Sequence, residues 1–171
     1  GGIGRLLAEK LKSFGLDVSA VSRNYVPIDS NISNLFSDND LIKGIKNKDF
    51  LFITSPLTPE NFKVFDYKKL KLLNKDAIVI NVSRGKLLCL NSLYKCIKEK
   101  KIFGAGLDVA DPEPLSKNHK LFKLENFVYS PHIAGISDNF AQRNFDLITK
   151  NMTRFINNKS LLNNIDLKLG Y

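Results

Sequence analysis

Four short apolar runs, each separated from the next by a helical pattern and each leading into polar or charged residues, confine this chain to a small set of folds. They are Asp49-Phe50-Leu51-Phe52-Ile53-Thr54, Ala77-Ile78-Val79-Ile80, Gly104-Ala105-Gly106-Leu107 and Phe127-Val128-Tyr129-Ser130. An unbroken apolar run of this length reads as a strand covered on both faces. Strand alternating with helix predicts right-handed βαβ units and a parallel sheet, the α/β, doubly wound class of Rossmann type. All strands of such a sheet end on one edge, and ligands bind in the crevice there. Arg84 follows the second run, Asp108 closes the third with Glu113 in the loop beyond, and His132 follows the fourth. An arginine, two carboxylates and an imidazole are therefore expected at that edge.

The start of the chain adds a second expectation. Gly1-Gly2-Ile3-Gly4 runs into a helix on which Ile3, Leu7, Leu11 and Phe14 recur at helical spacing, with Gly15 just past its end. Unpaired backbone N–H groups at a glycine-rich helix start suit a phosphate. Gly1 and Gly4 match the last two glycines of Gly-x-Gly-x-x-Gly, whereas the first glycine and the strand before it are absent from this sequence. The next strand, Asp17 to Val21, ends at Ser22-Arg23, close to the place about 20 residues past the glycines where a dinucleotide fold carries a ribose-reading acid. Here a hydroxyl and a guanidinium stand instead, and they favour the 2′-phosphate of NADP(H) over NAD(H) unless Arg23 is merely solvated.

The remaining segments are framework. Val26 to Asp40 is turn-rich, with a short helix expected from near Asp40, and Ser55-Pro56-Leu57-Thr58-Pro59 reads as a loop at the sheet's carboxyl edge. Helices are expected at 67–73, at 92–100 with Asn91 as cap, and at 138–157 with Phe140, Phe145, Ile148, Met152 and Phe155 facing inward. Residues 161–171 read as extended. Residues 1–135 are assigned to a dinucleotide-binding domain, incomplete at its start, and residues 136–171 to a C-terminal helix and return segment.

Composition removes several other classes. With 43% hydrophobic and 25% charged residues the chain has the make-up of one soluble globular domain. No run of about 18 apolar residues exists, so no membrane-spanning helix is expected. The net charge of +9 is mostly lysine scattered over helix faces, which reads as a solvated surface and not as a nucleic-acid stripe. Cys89 and Cys96 lack metal-ligand spacing, so no metal is expected, and they read as reduced thiols of the cytoplasm.

Taken in order, the glycine turn, Ser55-Pro56-Leu57-Thr58-Pro59-Glu60, Ile80-Asn81-Val82-Ser83-Arg84-Gly85, Gly104-Ala105-Gly106-Leu107-Asp108-Val109, Glu113-Pro114-Leu115 and Ser130-Pro131-His132-Ile133-Ala134-Gly135 resemble the D-isomer-specific 2-hydroxyacid dehydrogenases. The resemblance runs from Gly1 to about Gly135 and continues loosely beyond.

It implies that Arg84 clamps a substrate carboxylate, that His132 is the acid/base and that Glu113 pairs with its imidazole. It assigns Gly1, Gly2, Ile3, Gly4, Ser22, Arg23, Pro56, Thr58, Val82 and Asp108 to the cofactor, with Asp108 on the nicotinamide side. Asn61 stands where the family commonly has Thr. Gly85 lets the backbone pass close to the cofactor or makes a tight turn. The implied reaction is hydride transfer between NADP(H) or NAD(H) and a small 2-oxo or D-2-hydroxy acid, of glyoxylate/hydroxypyruvate type. The alternatives are an NAD-dependent D-3-phosphoglycerate dehydrogenase and, outside enzymes, a dinucleotide-sensing corepressor-like module. A homodimer is implied. So is a chain of about twice this length, following the usual size of two-domain proteins, of which this sequence alone binds cofactor weakly and turns over little.

Overall fold

Every pairing between the described strands is parallel, as alternating strands and helices require. The computed structural model describes residues 1–23 and 30–167. Among them β1 (Ser19–Val21) pairs with β2 (Asn34–Phe36), and β3 (Phe50–Ile53), β4 (Ile78–Asn81), β5 (Gly104–Leu107) and β6 (Phe127–Tyr129) form a second sheet in that order. The backbone divides into two compact units, Gly1–Pro131 and His132–Tyr171.

Within the first unit, α1 (Gly2–Ser13) ends as its sequence foretells, with Gly15 in the left-handed region at φ 79. Its inward face is Ala8 flanked by Leu7 and Leu11, whereas Ile3 and Phe14, expected on that face, are exposed. The strand at Asn34–Phe36 was not expected. Its apolar pair is too short to show a period, and the polar residues before it read as a turn. Residues 24–29 of the expected loop lie outside the described residues. The short helix near Asp40 is α2 (Leu41–Ile45), whose Gly44 lies against the side chains of Val21 and Phe36 and so seats the helix on β1 and β2. Lys48 joins the two sheets at their amino ends: its Nζ donates to Ser19 Oγ at 2.8 Å and lies 3.8 Å from Asp17.

The core lies against β4 and β5, where Leu70, Val79, Leu87, Leu93, Leu107 and Leu121 are fully enclosed. Two expectations about its frame are corrected. The third helix, α3 (Tyr67–Leu70), is shorter than 67–73, although Asp66 caps it by accepting from the Lys69 N–H at 2.9 Å. The fourth, α4 (Leu90–Lys98), is capped at Cys89 and not at Asn91, because the Leu93 N–H already closes on the Cys89 carbonyl at 2.9 Å. That phase buries Leu90, Leu93, Cys96 and Ile97 together. Cys89 and Cys96 are both free, and burial pushes the Cys96 thiol up to about 11. β3 is covered less than its apolar run suggests. Only Ile53 is buried and Phe50 is exposed, because among the described residues β3 is an edge of its sheet with a single strand neighbour.

The second unit contains α5 (Phe140–Ile156). Phe140, Phe145, Ile148, Met152 and Phe155, expected to face inward, are all at least half exposed. The periodicity correctly marked one apolar face, but a period says nothing about what covers it. Beyond the helix, Asn151 fastens the following segment by donating to the Leu162 carbonyl at 3.2 Å and accepting from its N–H at 2.7 Å. Among the described residues no helix is long and apolar enough to cross a membrane.

Candidate active site

The turn after β4 is built by one buried side chain. Asn81, fully enclosed, accepts through Oδ1 from the Ser83 N–H at 3.0 Å and from the Ser83 hydroxyl at 2.9 Å. Its Nδ2 donates to the Arg84 carbonyl at 3.1 Å. An asparagine turning on the backbone two residues ahead is the local device that ends a strand abruptly, and here it delivers Arg84 to the surface. The Arg84 guanidinium is exposed, with Nη1 donating to the Ser83 carbonyl at 2.8 Å.

The next loop is locked to this one. A Cβ on Gly85 would overlap the backbone of Ala110, so the absence of a side chain is what allows the turn after β4 to rest on the loop after β5. Of the two sequence readings of Gly85, close approach to cofactor or tight turn, neither names this contact between loops. Ala110 in turn donates its N–H to Glu113 Oε1 at 2.9 Å, within a segment holding cis bonds at Asp111-Pro112 and Glu113-Pro114. Asp108 is 5% exposed, accepts from the Ser130 hydroxyl at 2.6 Å and donates its N–H to the Asn81 carbonyl at 2.9 Å. Arg84, Asp108 and Glu113 thus stand on consecutive, interlocked loops at the carboxyl edge of the first unit. His132, exposed and left-handed at φ 59, opens the second unit.

The residues read as cofactor contacts line the same edge. Gly1 and Gly2 have open space where a Cβ would stand, and α1 begins with no side-chain cap and no acidic residue in its first turn. A Cβ on Gly4 would come 3.2 Å from Thr54 Oγ1, which places the start of α1, with Ile3, beside the end of β3. Val82 donates its N–H to the Ile53 carbonyl at 3.4 Å. Ser22 donates its N–H to the Phe36 carbonyl at 3.0 Å, and Arg23 Nη2 donates to Thr58 Oγ1 at 3.2 Å, across from one sheet to the other. Such an edge fits a dinucleotide: an uncapped helix start clear of side chains for phosphate, with a guanidinium and hydroxyls near the end of β1.

Asn61, which stands where the family commonly has Thr, braces the loop after β3. Its Oδ1 accepts from the Thr58 N–H at 2.8 Å, its Nδ2 donates to the Pro56 carbonyl at 2.8 Å, and with Thr58 it completes a capping box. Sequence reasoning did not single out the supporting roles of Asn81 and Ser130. The signal for Asn81 was present as Asn-x-Ser at a strand end, whereas Ser130 meets Asp108 only through the pairing of β5 with β6. Replacing Asn81 with alanine leaves the Ser83 N–H and hydroxyl and the Arg84 carbonyl without their partner. We expect that variant to lose about 2–4 kcal/mol of unfolding free energy in a denaturant titration.

Residues 1–134 match the family described as D-isomer specific 2-hydroxyacid dehydrogenase, NAD binding domain. A glyoxylate reductase of Thermococcus litoralis is 38% identical over 156 residues, which are 91% of this chain and 46% of that protein. A glyoxylate/hydroxypyruvate reductase of Arabidopsis thaliana is 37% identical over 98% of this chain and 50% of its own length. The chain therefore spans about half the length of the curated relatives it matches. Among solved structures, an NADPH-dependent glyoxylate/hydroxypyruvate reductase from Sinorhizobium meliloti in complex with NADP and sulfate superposes with a TM-score of 0.91 at 27% identity. That match covers 100% of this chain and 54% of the other. A probable 2-hydroxyacid dehydrogenase from Rhizobium etli, in complex with NADP, HEPES and L(+)-tartaric acid, gives 0.90 at 30% identity with the same coverage. With the interlocked loops of Arg84, Asp108 and Glu113 at the carboxyl edge, these matches show that the chain belongs to the D-isomer-specific 2-hydroxyacid dehydrogenase family.

Proposed function

We propose that the protein is an NADP(H)-preferring reductase of small 2-oxo acids, with glyoxylate and hydroxypyruvate as substrates, acting in the cytoplasm as a homodimer. The observation that carries this reading is the set of interlocked loops holding Arg84, Asp108 and Glu113 at the carboxyl edge of a family domain. Reduction of a 2-oxo acid needs a grip on the substrate carboxylate, which a planar guanidinium supplies as two parallel charge-assisted hydrogen bonds. Arg84 takes that role. The ketone oxygen gains charge during reduction and needs a proton donor, which is assigned to His132. Glu113 is assigned as the carboxylate that pairs with the imidazole. The nicotinamide, when bound, supplies the hydride. Asp108, buried and fixed by Ser130, is assigned to the nicotinamide side, and Gly1 to Gly4, Ser22, Arg23, Pro56, Thr58 and Val82 are assigned to the rest of the cofactor.

The division between residues 1–135 for the dinucleotide and 136–171 as a return segment belongs to the same proposal. The guanidinium at the end of β1 supports NADP(H). Oxidation of NADPH and NADH by the protein with glyoxylate, hydroxypyruvate and 3-phosphohydroxypyruvate tests it. We expect faster turnover with NADPH and the two unphosphorylated acids. A strong NADH preference with the phosphorylated acid favours the phosphoglycerate dehydrogenase reading instead.

A further inference from the structure

Among the described residues, two carboxylates lie beside the guanidinium offered to the cofactor. Arg23 Nε lies 3.6 Å from Asp38 Oδ2 on one side, and Nη2 lies 3.8 Å from Glu60 Oε2 on the other. The same Nη2 donates to Thr58 Oγ1 at 3.2 Å. Thr58 is buried and held by its capping box with Asn61, so the Arg23 guanidinium rests on a fixed oxygen within reach of Glu60. The Glu60 carboxyl is held below the ordinary carboxylate range, first by Thr58, then by a backbone N–H, with the charge of Arg23 adding a smaller share. It therefore carries its full charge through neutral pH.

A 2′-phosphate seeking Arg23 meets that charge. Two like charges drawn to one guanidinium repel each other, and the ligand gains only the difference between its own pairing and the one it displaces. Resting on the NADP(H) reading above, we infer that Glu60 is a specificity-setting residue that weakens the grip of Arg23 on a 2′-phosphate and so keeps NADH usable beside NADPH. Glu60 acts through Arg23 and touches no reacting atom. Asp38 acts in the same sense from the other side, against Nε and not against the Nη2 that meets Thr58.

Calorimetric titration of the protein with adenosine 2′,5′-bisphosphate and with adenosine 5′-monophosphate, at low ionic strength, separates this inference from the reading beneath it. E60Q keeps the size of the side chain and removes its charge. The expected result is bisphosphate binding tightened about three- to tenfold, with the monophosphate unchanged and the gain shrinking as salt is added. E60D, which keeps the charge, is expected to stay near the parent ratio. R23Q is the companion measurement. If it leaves the ratio of the two affinities unchanged, the NADP(H) reading itself fails. If R23Q abolishes the preference for bisphosphate while E60Q leaves it unchanged or weakens it, the role given to Glu60 is overturned. Equal tightening of both ligands by E60Q overturns it as well, since only a charge acting on the 2′-phosphate distinguishes them.

Discussion

Replacing His132 with glutamine is expected to lower kcat for reduction of a 2-oxo acid by about 10²–10⁴-fold, the usual contribution of a positioned general acid. The substitution keeps a polar side chain of similar reach and removes the proton donor assigned to this position. Binding of NADPH to the same variant, followed by its fluorescence, is expected to stay near the parent value, because no cofactor contact is assigned to this residue. The pair of measurements separates two classes of function. An enzyme loses turnover and keeps cofactor, whereas a dinucleotide-sensing module has no turnover to lose. H132Q retaining more than half of the parent rate would remove His132 from the chemistry and leave Arg84 and Glu113 without the proton donor the mechanism requires.

Replacing Gly85 with alanine should have the largest effect on folding of any single methyl group added at this edge. The new Cβ would overlap the Ala110 backbone, which no rotamer can relieve. Either the turn after β4 or the loop after β5 must move, and both carry residues of the candidate site. A loss of about 3–5 kcal/mol in unfolding free energy is expected, at the severe end of the range for point substitutions. G104A is the matched control. Its Cβ would overlap the Asn126 carbonyl at the opposite, amino end of β5. It too is expected to destabilise the fold, but at a temperature where both variants remain folded only G85A should raise KM for the 2-oxo acid. A G85A midpoint equal to the parent's would show that the two loops part without cost.

How far the fold was legible follows the lengths of the apolar runs. β3, β4, β5 and β6 lie where the four short apolar runs predict them, Gly-Ala-Gly-Leu of β5 included, although β4 and β5 are the better covered of the four. β2 was missed because three residues of Asn-Leu-Phe carry no periodic signal, and they pair only because β1 offers a parallel neighbour. The caps moved by a residue or two, as with Cys89 in place of Asn91, because a cap is fixed by which carbonyl the first free N–H reaches. At the candidate site, the loops of Arg84, Asp108 and Glu113 were legible as strand ends. Their support was not. Gly85 against Ala110, Ser130 on Asp108, and Arg23 between Asp38 and Glu60 are all contacts between segments far apart in sequence, and no local pattern encodes them.

Because all the strands of the larger sheet run the same way, the chain leaves the rim opposite Arg84 free of any assigned chemistry. That rim carries the turns before β4 and β5, where Lys75, Asp76, Lys100 and Lys101 are exposed. Tags, fluorophores or grafted peptides belong there, since surface turns remote from a pocket accept extra length at small entropic cost. Reporters on those lysines would stand clear of the rim that carries Arg84.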